Sequence, residues 1–237
     1  MSTLSMKSFA IASGAAALAL ALAAPAVAAP PRTGTARVDL TGVWWTKGYQ
    51  PTMKTVDGQL PPFQPWAAAA YKKSLDAQDA GKPLLDSSTL CLPHGVPRIM
   101  YAPYPIQILQ TPKQVTILHE VNHMVRLVYM NEPHPDGLDD TYLGHSVGRW
   151  EGDTLVIDTI GLNDQTLLDR AGLPHTTALH VVERLRPIEG GKLLEDVITI
   201  DDPKTYTKPW NARITFERRP DVRLMEYVCT ENNRNGG

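Results

Sequence analysis

Residues 119–123, His-Glu-Val-Asn-His, have the form H-E-x-x-H. On a helix, positions i and i+4 share a face, so His119 and His123 would reach one zinc ion while Glu120 acts as base. The neighbours oppose a helix. "QVTIL" precedes the string and "MVRLVYM" follows it, both β-branched and apolar without a cap or a helical stripe. On a continuous strand four residues span about 13 Å, too far for two ligands at about 2 Å from one metal. A zinc metallopeptidase is therefore disfavoured. One metal reading survives: a three-residue hairpin loop at 120–122 sets His119 and His123 face to face, with Cβ atoms about 5 Å apart. No third ligand is identifiable, so the expectation is no metal.

Chemistry is better supplied by "GHSVGRWEGDTLVIDTIGLNDQTLLDRAGLPHTTALHVVER". Asp158, Asp169, His175 and His145 are the candidate catalytic residues, with His175 paired to Asp169 or Asp158 as acid and base. Glu183 shares a strand face with Leu179, Val181 and Leu185. A carboxylate there needs a partner, Arg213 or Arg184, or a raised pKa. Trp150, Arg149, Asn163, Glu183, Tyr206 and Trp210 are candidate ligand-binding residues, Tyr206 and Trp210 serving either as pocket walls or as a corner plug. The chain lacks a G-x-S-x-G elbow, a glycine-rich phosphate loop and paired C-x-x-C ligands, so no organic cofactor is expected.

The elements that must position these groups read as strands. Val38 to Thr46 is a first strand, and "WAAAAYKKSLDAQDAG" is a helix with Pro65 at its start and Gly81 and Pro83 beyond it. From residue 100 onward short strands alternate with turns: "YPIQIL", "QVTILHE", "HMVRLVYM", "HSVGRW", "TLVIDTIG", "ALHVVERLR", "KLLEDVITI", "ARITFERR" and "VRLMEYVC". Most are joined as hairpins, which predicts an antiparallel barrel or strongly curled sheet with one N-terminal helix. Connections 131–144 and 160–178 exceed hairpin length and are expected at the rim.

Residues 1–28 carry an early Lys7, an Ala/Leu run and Ala26-Val27-Ala28, the pattern of a secretory leader cut after an A-x-A site. Residues 29–37 then form a linker and 38–233 a single domain, periplasmic or secreted, with no membrane anchor after cleavage. A net charge of −2 gives no electrostatic case for nucleic acid. In an oxidising compartment the two cysteines, Cys91 and Cys229, either form one disulfide from an early loop to the last strand or stay as two buried thiols.

"GHSVGRWEGDTLVIDTIGLND", "LPHTTALHVVERLR", "TIDDPKTYTKPW" and "EYVCTENN" together resemble a functionally unassigned family of exported bacterial proteins, over Val38 to Asn233. The resemblance implies a secreted β-rich domain and no particular reaction. "LTGVWW" is also similar to the lipocalin G-x-W element, here Gly42 and Trp44. It implies that Trp44 closes the barrel bottom against a late-strand arginine, Arg213 or Arg223. The combined expectation is a barrel whose cavity takes a small, largely apolar molecule. The protein is then a cofactor-independent acid/base enzyme (isomerase, lyase or hydrolase) or, alternatively, a lipocalin-like carrier.

Overall fold

The computed structural model describes residues 38–82, 84 and 86–232. The expected leader and linker lie outside them. Nine strands close a barrel in chain order: β1 Gly42–Thr46, β2 Ile106–Gln110, β3 Gln114–His119, β4 Val125–Met130, β5 His145–Glu151, β6 Thr154–Ile160, β7 His180–Ile188, β8 Leu193–Asp201 and β9 Trp210–Arg218. Two helices, α1 Pro65–Asp79 and α2 Arg98–Tyr101, interrupt the long β1–β2 connection. A mainly β barrel with one substantial N-terminal helix is therefore what the chain forms.

Two details differ from the hairpin pattern. The pair β4–β5 is parallel, with Tyr129 opposite Val147. Both strands must then start at the same end, so connection 131–144 returns along the outside of the wall and carries His134 with it. Gly148 allows the close approach this pairing needs: a Cβ there would lie 2.7 Å from Val128 and 2.8 Å from the Met130 sulfur. The expected last strand, "VRLMEYVC", does not form. The edge of β9 is already occupied by β1, with Trp44 opposite Arg218, leaving no ladder for a tenth strand. Residues 222–228 instead run as an extended strap. Met225 N–H donates to Glu120 Oε2 at 2.8 Å, and Tyr227 N–H donates to His123 Nε2 at 2.8 Å. Cys229 follows in a 3₁₀ turn and is disulfide-bonded to Cys91.

Antiparallel pairing of the remaining neighbours gathers the long connections 47–105, 161–179 and 202–209, together with the start of β5, at one end of the barrel, here the rim. There Met53, Tyr71, Ile99, Leu168, Leu173 and Tyr206 join the inward residues of the strands, such as Ile117, Ile157, Val181, Ile198 and Phe216, in one buried core. The opposite end is closed by Trp44. Its Nε1–H donates to Leu40 O at 2.8 Å, and the Arg218 guanidinium lies 4.7 Å from its ring centre. Arg218, directly across the ladder, does this in place of Arg213 or Arg223. Arg213 points outward to Glu195 at 3.4 Å, and Arg223 lies exposed beyond β9. Gly42, at φ 138°, occupies backbone space that disfavours a side chain, and a Cβ there would be 4.0 Å from Arg218.

Candidate functional site

The H-E-x-x-H segment is a strand, a 3₁₀ turn over Val121–His123 and another strand. His119 N–H bonds to Met124 O at 2.8 Å, closing the hairpin. The two imidazoles diverge. His119 points into the barrel, 2% exposed, with neither ring nitrogen hydrogen-bonded, while His123 faces out and holds the strap. Glu120 holds it too, so two residues of the string are spent on anchoring the C-terminal segment.

Inside the wall, Glu183 is fully buried, and its partner is Arg126 of β4 rather than Arg213 or Arg184. The guanidinium donates to both carboxylate oxygens, Nη1 to Oε1 at 3.0 Å and Nη2 to Oε2. It also donates to Thr159 Oγ1 at 2.8 Å and Ser146 Oγ at 3.1 Å. Each guanidinium nitrogen and each carboxylate oxygen of the pair thus has a partner, as a buried charge requires. Asp196 faces the same interior with no well-formed hydrogen bond to either oxygen. Burial, then the Glu183 charge, push its pKa well above the usual carboxylate range, which favours the protonated acid. His119 is the converse: burial, then Arg126 and His94, lower its pKa to about 3, keeping it uncharged.

A cavity of about 330 Å³ opens at the rim. Its lining includes Tyr101, Tyr104, Tyr227, His94, Arg98 and Arg170. The lining residues come from the connections and from the C-terminal strap, which supplies Tyr227 and Cys229, and none from a strand, so the chamber lies over the barrel mouth rather than between its strands. Tyr104 and Tyr227 meet edge to face at 5.0 Å. Arg98 is neutralised by Asp86 at 2.6 Å, whereas the exposed Arg170 side chain makes no ion pair among the described residues. His94 is held neutral, its pKa lowered to about 4 by burial and then by Arg98.

The residues expected to be catalytic separate into two groups. His175 and Asp169 organise the 161–179 connection and do not pair. His175 Nε2 and Thr166 Oγ1 are 2.8 Å apart, and its Nδ1 lies 3.2 Å from Thr176 O. Asp169 accepts backbone N–H groups of Met53, Ala171 and Leu173 at 2.8–3.0 Å. Asp158 and His145 do come together, through His134. His145 Nδ1 and His134 Nδ1 are 2.9 Å apart, His134 Nε2 lies 3.1 Å from Asp158 Oδ1, and His180 Nε2 lies 2.8 Å from that same oxygen. This four-residue chain runs over the outer wall of β5–β7. Its register shows it: Asp158 pairs with Val182, on the opposite face from the inward pair Ile157–Glu183. The His180 hydrogen bond, first, and that of His134 hold the Asp158 carboxyl below its usual range. Asp158 in turn raises the His180 pKa, chiefly through their hydrogen bond.

Of the expected ligand-binding residues, Tyr206 and Trp210 are buried in an aromatic stack with Phe63 and Tyr71, a plug rather than a wall of the cavity. Trp150 packs half-buried against the core. Arg149 is exposed and paired with Glu151 at 2.8 Å, and Asn163 Oδ1 accepts from Gln165 N–H at 3.2 Å. His134 and His180 are the participants that sequence reasoning did not select. His180 stood in the dense run and His134 in a flagged rim connection, but only the strand register sets either beside Asp158. Among the described residues no group of three or more His, Cys, Asp or Glu side chains converges as a metal site.

The chain matches no known family profile and no curated protein. Among solved structures it is similar to one described as "REP1-NXSQ fatty acid transporter", at 10% identity and a TM-score of 0.37, over 78% of this chain and 98% of that one. At that TM-score the likeness bears on neither fold nor ligand.

Proposed function

We propose that the protein is an exported small-molecule binding protein whose rim cavity takes a planar, largely apolar ligand carrying one anionic group. One observation carries this reading: four tyrosines, Tyr49, Tyr101, Tyr104 and Tyr227, wall a chamber of about 330 Å³, and Arg170, with no ion pair among the described residues, stands beside it. That volume falls within the range of roughly 300–1,000 Å³ typical of ligand pockets. Tyrosine rings give apolar faces with polar tips, and an unpaired guanidinium suits a carboxylate or sulfonate. Binding is preferred to catalysis in this chamber because its histidine, His94, is a weak base with a pKa of about 4. The Cys91–Cys229 disulfide supports an oxidising compartment, and Cys229 itself lines the chamber.

The test uses 1-anilinonaphthalene-8-sulfonate, an aromatic anion with roughly twenty heavy atoms. At about 0.3 kcal/mol per atom, its expected Kd is on the order of tens of micromolar. Fluorescence titration of the native chain is expected to saturate at one equivalent. Arg170→Ala is expected to weaken binding about tenfold, the worth of a charge-assisted hydrogen bond, and Tyr101→Ala to weaken it as well. Non-saturating fluorescence, or equal affinity in both variants and the parent, rules the cavity out as the binding site.

A further inference from the structure

The rim chamber leaves the outer-wall chain of His145, His134, Asp158 and His180 without a task, and its proton arrangement follows from chemistry alone. Asp158 Oδ1 faces ring nitrogens of both His134 and His180. An ionised carboxylate only accepts, so both Nε2 atoms carry hydrogens. Neutral His134 then has a bare Nδ1, and the nitrogen 2.9 Å away, His145 Nδ1, must donate to it. That leaves the lone pair of His145 on Nε2, which has no hydrogen-bond partner among the described residues and is not a buried orphan. A proton arriving at Nε2 lets the Nδ1 hydrogen pass to His134. The positive charge then rests between His145 and the Asp158 carboxylate instead of at the wall surface.

We propose that this outer wall is an acid–base catalytic site in which His145 Nε2 deprotonates water attacking an aryl ester, with His134 and Asp158 as positioning residues. As the water oxygen bonds to the acyl carbon, its proton goes to Nε2 and the Nδ1 proton moves to His134, while the carbonyl electrons shift to oxygen. Collapse expels the phenolate and leaves a carboxylic acid, and His134 then returns its proton through His145 to solvent. Because the acquired charge sits on His134, the chain is a poor acid toward a leaving group, so the substrate class is an ester whose leaving group departs as a stable anion. Other groups face the chain from every neighbouring element. Tyr129 of β4 stacks on His145 at 5.2 Å, Glu132 of the 131–144 connection acts electrostatically on His145, and Asp201 of β8 acts on His180. Partial burial, then His134, lower the His145 pKa, which keeps its base form available at neutral pH.

The probe is p-nitrophenyl acetate with the native chain, followed across pH as phenolate release. Protein-dependent hydrolysis is expected to rise through one midpoint and to fall about tenfold or more in His145→Gln. Asp158→Asn keeps the base but removes the charge that stabilises His134 when protonated, so its midpoint should drop by about one pH unit. A purely structural role for Asp158 would leave the midpoint in place. ¹⁵N spectra of the parent imidazoles give a readout independent of any variant: His145 should carry its hydrogen on Nδ1 above the midpoint. Absence of protein-dependent hydrolysis, parent-like rates in His145→Gln, an unmoved midpoint in Asp158→Asn, or the opposite tautomer would each overturn the proposal.

Discussion

The two faces of the same three strands hold two polar networks with opposite characters. On β5 and β6, outward His145 and Asp158 adjoin inward Ser146 and Thr159; on β7, His180 points out and Glu183 in. The inner network is fully buried: Arg126 is held by Glu183, Ser146 and Thr159, and beside it burial biases both Asp196 and His119 toward their uncharged forms. The outer network is half-exposed, and two of its nitrogens, His145 Nε2 and His180 Nδ1, make no hydrogen bond among the described residues. Burial turns polar groups into structural commitments, because any unpaired charge is prohibitive. Partial exposure leaves them free to exchange protons.

The largest expected effect tests that division directly. Glu183→Ala strands the Arg126 charge in the core and should cost about 3–5 kcal/mol in urea unfolding. Asp158→Asn on the outer face should cost less than about 1 kcal/mol; comparable losses would erase the distinction. Next, replacing Cys91 and Cys229 by serine removes the strap's covalent anchor and should cost about 2–5 kcal/mol. The outer-wall imidazole spectra should survive that change, because the strap is held at Glu120 and His123 on the β3–β4 turn.

Acid titration separates the faces by sign. His119 has a depressed folded pKa, so its contribution is complete above about 6.5 and is lost as pH falls toward about 3. His119→Gln should flatten the acid limb of stability by up to about 1.4 kcal/mol per pH unit between those limits. The outer His180 has a raised folded pKa. Its contribution is present below about 6.5 and lost as pH rises through the raised value, so His180→Gln should remove a slight decline just above that pH and leave the acid limb's slope unchanged. Smallest of all, Asp196→Asn should change stability by within about 1 kcal/mol near pH 4 and below, where both side chains are neutral in the folded and the unfolded chain. A raised acid stabilises at low pH and loses that contribution as pH rises through its folded pKa. The asparagine variant should therefore lose the decline that begins above about pH 4 and grow more stable than the parent as pH rises, measured by thermal melts from pH 4 upward.

Much of the fold was legible because its signals are local. Alternation marked strands β2 to β9, and Pro65 with the alanine run marked α1. The β-branched surroundings of residues 119–123 gave strand in place of a zincin helix. The misread strand at 222–229 has equally good local pattern, but pairing needs a free edge, and closure of β1 on β9 had removed it. The candidate sites were legible only in part. Asp158 and His145 stood out as polar groups beside strand ends, yet His175 and Asp169 looked as reactive and proved to be loop anchors.

The sequence by itself determined that this chain curls into pleated strands, that its acidic and imidazole groups crowd one stretch, and that two cysteines were available for one bond. Which groups meet was decided only in three dimensions. Side-chain period along a strand is written locally, but register across strands joined by long connections is set by ring closure and by packing of the whole core. That register chose Arg126 for Glu183, Arg218 for Trp44, and His134 with His180 for Asp158.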